Sequence, residues 1–151
     1  MTPQIRHAAE SDVPEIKHIV SEAYRCYITR IGKLPGPMED DHRLQVAQGR
    51  VWILTIGEEI VGVVVIKPEA GHLLLENVAV KPERQGQGFG RLLIQFAETK
   101  ARESGYREIQ LYTNVAMHEN RALYAKLGYQ EFRRGYDSGF HRVFFKKTLG
   151  E

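Results

Sequence analysis

Between residues 51 and 80, apolar positions crowd into three short runs: Val51–Ile56, Ile60–Ile66 and Leu73–Val80. Their branched residues, separated by Gly57-Glu58-Glu59 and by Pro68–Gly71, predict three strands. The first two are apolar nearly throughout, so both faces of their sheet are expected to be covered. Elsewhere the period changes. Val13, Ile16, Ile19, Val20 and Ala23 recur at helical spacing and predict a helix from Val13 to Tyr24. Ser11 or Asp12 would cap it, with Asp12 and Glu15 at capping-box spacing and Pro14 in the first turn. A second strong helix is expected from Gly88 to Ser104, with Leu93, Phe96, Ala97, Lys100 and Ala101 on one face and Gly105 as its stop. A first strand at Ile5–Ala8, a weaker helix at Met38–Gln48 and a strand at Ile109–Thr113 fill the gaps. A short helix at Asn120–Leu127, ended by Gly128, precedes a hairpin of Tyr129–Arg134 and Arg142–Thr148 around Asp137-Ser138-Gly139. The order β-α-α-β-β-β-α-β-α-β-β predicts a mixed α/β fold without the strict alternation of a doubly wound sheet.

Composition narrows the function classes. The chain has 151 residues, the size of one domain, with 42% hydrophobic and 26% charged residues. A net charge of +2 asks for neither nucleic acid nor an anionic membrane as partner. No apolar run reaches the roughly 18–20 residues of a membrane span, and residues 1–7 have no signal-peptide core, so a cytoplasmic setting is expected. Cys26 is the only cysteine, which excludes an internal disulfide; it is expected to be a small core residue. Six histidines are scattered and none forms an H-x-x-x-H pair, so no metal site is expected.

The candidate chemistry begins at the junction of the third strand and the following helix. Residues 85–90 read Gln85-Gly86-Gln87-Gly88-Phe89-Gly90. Alternating glycines at a helix start let backbone N–H groups converge on one point, a concavity suited to phosphate or pyrophosphate. The bland alternative is a glycine-rich turn with no ligand. The spacing fails the dinucleotide fingerprint G-x-G-x-x-G, and no Lys-Ser or Lys-Thr follows Gly90 as a P-loop requires.

A second block is needed to go further. Residues 114–129 read N-V-A-M-H-E-N-R-A-L-Y-A-K-L-G-Y. Taken with the glycine turn, the chain resembles the GNAT superfamily of acyl-CoA N-acyltransferases, of the small bacterial type. Gln85, Gly88 and Gly90 match that family's Q/R-x-x-G-x-G/A motif, with Val80 ending the preceding strand and Pro82 in the intervening turn. Tyr124, Leu127, Gly128 and Tyr129 match its later tyrosine and L-G-F/Y motif. Met117-His118-Glu119-Asn120 before Leu123-Tyr124, and Gly139-Phe140-His141-Arg142-Val143 near the end, are similar to stretches found in a subset of the family. The resemblance runs along nearly the whole chain.

The resemblance implies a single N-acetyltransferase domain over 1–151, with a mixed, mostly antiparallel sheet and helices on both faces. It implies acetyl-CoA as co-substrate, no metal, and a primary amine of a small molecule or peptide as acceptor, attacked directly in a ternary complex. It also allows a homodimer. Carried over residue by residue, Val78, Ala79 and Val80 would lie along the pantetheine, with a backbone N–H near Val78 polarising the thioester carbonyl. The backbone of Gln85, Gly86, Gln87, Gly88, Phe89, Gly90 and Arg91 would hold the pyrophosphate. Tyr124 matches the family's general acid; read from spacing alone it is a core aromatic. Glu76 is the first candidate for the base, with Glu119 and His118 as others. Many relatives carry Asn seven residues before the tyrosine, where this chain has Met117; Asn120 is the candidate substitute contact, and helix capping is its other reading. Lys81, Arg84 and Arg91 are either phosphate contacts or solvated charges, and Glu39-Asp40-Asp41 either attracts an amine or begins a helix. A protein of this kind that binds acyl-CoA without turnover is the alternative function.

Overall fold

The computed structural model describes residues 2–137 and 139–150. It divides into two compact units, Met1–Ile66 with Asn77–Ala97 and Lys67–Glu76 with Glu98–Glu151. The seven strands are ordered β1-β2-β3-β4-β5-β7-β6. β1/β2, β2/β3, β5/β7 and β6/β7 are antiparallel, and β4/β5 is parallel. The fold is α/β with a mostly antiparallel sheet, as the sequence predicts.

The first unit holds β1 (Gln4–His7), α1 (Val13–Tyr24), α2 (Tyr27–Ile31), α3 (Gly36–Glu39), α4 (His42–Ala47), β2 (Val51–Ile56) and β3 (Glu59–Pro68) as far as Ile66. It also holds the end of β4 (Leu73–Val80) and the start of α5 (Phe89–Glu103). Its core follows from the sequence pattern: Val51, Ile53, Leu54, Val61, Val63, Val64 and Val65 are all buried, so both faces of β2 and β3 are covered. One face meets α5, where Trp52 packs on Phe96 with ring centroids 4.9 Å apart. On β4, the buried Asn77 accepts from the Tyr24 hydroxyl at the end of α1 at 2.7 Å. The α1 stripe of Val13, Ile16, Ile19 and Val20 is buried throughout.

Three local expectations need correction. Asp12 does not cap α1 through its side chain. Its carboxylate instead accepts from the Ala9 N–H at 2.7 Å and from Arg6 at 3.0 Å, closing a 3-10 turn over Glu10–Asp12. The Arg6 hydrogen bond holds this carboxyl below the usual aspartate range. The single helix expected over Met38–Gln48 is broken, because Asp41 accepts from the Leu44 N–H at 3.0 Å and so restarts the chain as α4. α2 was not expected at all, and Cys26 just before it is exposed rather than in the core.

The second unit holds the start of β4, the end of α5, β5 (Glu108–Asn114), α6 (His118–Lys126), β6 (Gln130–Asp137) and β7 (Phe140–Thr148). α5 stops as expected: Gly105 has φ +83°, and Tyr106 N–H donates to Ala101 C=O at 2.9 Å. β6 and β7 form the closing hairpin; Ser138 of its expected turn lies outside the described residues.

Gly62 on β3 is a packing requirement. A Cβ there would sit 2.9 Å from Leu93 Cδ1 and 3.3 Å from the Ala79 carbonyl oxygen. Gly62→Val is expected to destabilise the protein by about 1–3 kcal/mol, read from urea unfolding.

Candidate active site

The glycine turn lies in the first unit. After β4, residues Pro82–Arg84 make a 3-10 turn, and Lys81 N–H donates to Val61 C=O at 2.9 Å. The Gln85 side chain folds back and donates from Nε2 to Val80 C=O at 3.1 Å, fastening the turn to the end of β4. Gly86 and Gly88 have φ +81° and +85°, which L side chains rarely adopt, and nothing lies within 4 Å of where a Cβ would stand at either. Gln85, Gly86, Gln87 and Gly88 are exposed, whereas Phe89 is buried and anchors the start of α5. The result is an open, backbone-lined turn at a helix N-terminus, whose shape and polarity fit a pyrophosphate.

The nearby cations are differently employed. Arg84 donates to both oxygens of Glu59, at 2.5 and 3.3 Å, and Lys81 lies 3.5 Å from the same carboxylate. Arg84 holds Glu59 below the usual glutamate range, and the pair favours a charged Arg84. Arg91 is exposed.

β4 leads into this turn with Val78, Ala79 and Val80, of which Ala79 and Val80 are buried. The residue before them was not anticipated as a site residue. Asn77 is only 3% exposed, and its Oδ1 accepts from the Tyr24 hydroxyl at 2.7 Å; the same hydroxyl lies 3.3 Å from Val78 C=O. The available signal was a polar pair, Glu76-Asn77, inside an otherwise apolar strand.

The other proposed residues lie in the second unit. Glu76 is half-buried on β4, and by strand alternation its side chain is on the face opposite to that of Asn77. Tyr124 is buried on α6, with its ring centroid 6.0 Å from that of Tyr129 and 5.9 Å from that of Phe145. Tyr129 in turn donates its hydroxyl to the buried Glu98 at 2.8 Å, and Lys147 Nζ lies 3.2 Å from both Glu98 oxygens. Met117 is buried and accepts a weak bond from Thr113 Oγ1 at 3.4 Å. Asn114 accepts from the Ala116 N–H at 2.9 Å, a turn that opens α6, while Asn120 is half-buried in the first turn of α6. His118 and Glu119 are exposed at the start of that helix. Among the described residues, no group of three His, Cys, Asp or Glu could hold a metal ion.

A sequence model of the acetyltransferase (GNAT) family matches residues 13–129. The chain belongs to this family. Rat N-acetyltransferase 8F1 is 28% identical over 109 residues, which are 68% of this chain and 49% of the relative. The chain spans about half or less of the length of the first curated relatives it matches. Among solved structures, the PaiA N-acetyltransferase of Thermoplasma acidophilum in complex with coenzyme A superposes with a TM-score of 0.83 at 16% identity, covering 99% of this chain and 100% of that one. The ribosomal-protein-S18-alanine N-acetyltransferase of Escherichia coli gives a TM-score of 0.72 at 18% identity, over 99% and 96%. At those identities the structures establish the shared fold.

Within this GNAT chain, burial acts strongly on Tyr124 and pushes its phenol up to about 12. Tyr129 is raised as well, first by burial and then by Glu98. Both phenols are therefore neutral donors at physiological pH.

Two measurements follow from this geometry. The folded state holds the Tyr124 proton more tightly than the unfolded chain, whose phenol titrates near 10.0. Its contribution to stability is complete below pH 10 and is lost as pH rises from 10 towards 12, at a slope of about 1.4 kcal/mol per pH unit. That component should be absent from Tyr124→Phe when urea midpoints of the two proteins are compared across this range. Lys147→Met removes one partner of a buried charge and is expected to cost about 3 kcal/mol at pH 7, again by urea unfolding.

Proposed function

We propose that this GNAT chain transfers the acetyl group of acetyl-CoA to a primary amine of a small molecule or peptide, by direct attack within a ternary complex. The observation that carries the reading is the open turn of Gln85–Gly90, whose positive-φ glycines bare the start of α5 where a pyrophosphate can approach the backbone. The family match over residues 13–129 supports one catalytic domain.

In this reading the backbone N–H groups of Gln85, Gly86, Gln87, Gly88, Phe89, Gly90 and Arg91 hold the pyrophosphate. Val78, Ala79 and Val80 offer main-chain groups to the pantetheine, and the Val78 N–H polarises the acyl carbonyl. Asn120 supplies a contact at the start of α6, in place of the asparagine that Met117 replaces. Acetyl-CoA supplies the activated acyl group. The amine lone pair forms the new N–C bond, the C–S bond breaks, and Tyr124 gives its proton to the departing sulfur. Glu76 takes the proton that the amine releases, directly or through water, and an amide and free coenzyme A result.

The Tyr124 phenol is protonated at physiological pH, as a proton donor must be. That Arg84 and Lys81 are bound to Glu59 supports a backbone cradle rather than a cluster of cations. Among the described residues no helix is long and apolar enough to cross a membrane. A cytoplasmic enzyme acting as a monomer or homodimer, independent of nucleic acid, completes the reading.

The direct test combines thermal stabilisation by acetyl-CoA with thiol release over a panel of polyamines, amino acids, aminoglycosides and peptides. Stabilisation and release are both expected. Stabilisation with no release on any amine would show a binding module, and no stabilisation by any acyl-CoA would remove the cofactor assignment. Tyr124→Phe should lower kcat about 100-fold while leaving the acetyl-CoA Kd unchanged. Unchanged kcat, with chemistry rate-limiting, would exclude Tyr124 as the acid. Gly88→Val should weaken coenzyme A binding at least about tenfold, because a β-branched residue does not adopt φ near +85°. Equal affinity by calorimetry would move the pyrophosphate elsewhere.

A further inference from the structure

The glycine turn is fastened to the first unit at few points. Lys81 N–H donates to Val61 C=O at 2.9 Å, where the chain leaves the end of β4. Arg84 N–H then donates to Lys81 C=O at 2.8 Å and Gln85 N–H to Pro82 C=O at 3.3 Å, which closes the 3-10 turn on itself. Among the described residues, the next backbone N–H with a carbonyl partner is that of Leu92, on Gly88 C=O at 3.1 Å. The stretch between them holds Gly86 and Gly88, both at positive φ, with nothing packed within 4 Å of where their Cβ atoms would stand. Glycines lose more backbone freedom on ordering than any other residue. A turn that must aim several N–H groups at one point therefore gains from being held by contacts outside itself.

Two side chains supply such contacts. Gln85 bonds to Val80 C=O, on the strand that carries the turn. Arg84 reaches a different strand: its Nε and Nη2 donate to Glu59 Oε2 and Oε1 at 3.3 and 2.5 Å, a two-pronged grip that fixes the guanidinium plane. Glu59 sits on a stiff mount. It opens β3 directly after the tight turn in which Gly57 has φ +60°, and it faces Ile56 across that hairpin. Lys81 Nζ lies 3.5 Å from the same carboxylate and 3.9 Å from Glu15 on α1, so Glu59 is an anion that two cations share. We propose that Glu59 is a positioning residue for the cofactor: through Arg84 it holds the glycine turn in the shape that receives the pyrophosphate. This rests on the acetyl-CoA reading. An anion at contact would repel a phosphate, so Glu59 acts through the turn and not on the ligand. The size of the effect is bounded. The Arg84 and Glu59 side chains are 33% and 36% exposed, and a pair so open to water is weak. It can raise affinity only through the fraction of molecules it keeps in the binding shape, which sets the expected loss at about two- to fivefold.

The test uses Glu59→Gln, Arg84→Gln and the double variant in the full chain, at about 0.15 M salt so that distant charges are screened. Without ligand, amide hydrogen exchange followed by NMR should be faster at the Arg84 and Gln85 N–H groups in all three. By calorimetry, acetyl-CoA should bind each of them about two- to fivefold more weakly than wild type. The double variant leaves the net charge unchanged and should lose no more than the single variants, because all three lack the same contact. At saturating acetyl-CoA, kcat should match wild type, so the loss appears in the acetyl-CoA KM. Tighter binding in Glu59→Gln overturns the proposal, because Arg84 would then be a phosphate ligand for which Glu59 competes. Unchanged affinity in Glu59→Gln overturns it too and leaves an exposed ion pair with no part in binding. A loss in the double variant equal to the sum of the single losses also overturns it, since the two residues would act independently. Wild type that binds no acetyl-CoA removes the acetyl-CoA reading and this role with it. Binding by wild type with unaltered exchange at Arg84 and Gln85 in the variants removes only the role of Glu59.

Discussion

Strand β4 must be apolar enough to lie in a sheet and polar enough to serve chemistry, and the rest of the molecule is organised around that conflict. Leu73, Leu75, Ala79 and Val80 are buried, yet Glu76 and Asn77 sit in the middle of the strand. The chain passes from one compact unit to the other between these two residues. A buried polar side chain in a sheet is tolerated only where partners are supplied. Tyr24, at the last turn of α1, supplies one for Asn77, so the length and stripe of α1 matter beyond packing: Val13 to Val20 seat the helix, and its end delivers the phenol. At the other end of the strand, the Gln85 side chain ties the glycine turn back to Val80.

Two kinds of buried polarity can be distinguished. Glu98, Tyr129 and Lys147 satisfy one another, and their energetic role is to hold α5, the segment after α6 and β7 in one arrangement. Asn77 is left half-satisfied. The contrast separates a network that stabilises the fold from a group kept at some cost to it. Tyr124 lies between these cases. Its ring is packed by Tyr129 and Phe145, and burial keeps its phenol protonated, so the packing that stabilises the cluster also sets the acid strength of the side chain.

Much of the architecture was legible in the residues. The three central strands, α1, α5 with its glycine stop, and the closing hairpin fall where periodicity and turn chemistry put them, within a few residues. The left-handed glycines at Gly86 and Gly88 were legible as a turn that other residues cannot make. Between residues 26 and 48 the reading failed, because short polar side chains there compete with the backbone: Asp41 breaks one expected helix into α3 and α4. Asp12 was given the right kind of role at the wrong turn, since Arg6 and the Ala9 N–H reach it first. Tyr124 was legible as either core or acid, and its burial, which pushes the phenol up to about 12, fits its packing against Tyr129 and Phe145 without deciding between those roles.

Local order, then, was written in the linear chain: strand and helix periods, caps and left-handed turns depend on neighbours a few positions away, and the family motifs lie within such stretches. The choice of partner for each polar group came only with folding. Tyr24 meets Asn77 across 53 positions, and Glu98 meets Tyr129 across 31 and Lys147 across 49. No period or spacing encodes those pairs, because they depend on which buried faces come together and on how little water remains there. The glycine turn could be read before the fold was known; the unpaired amide beside Val78 could not.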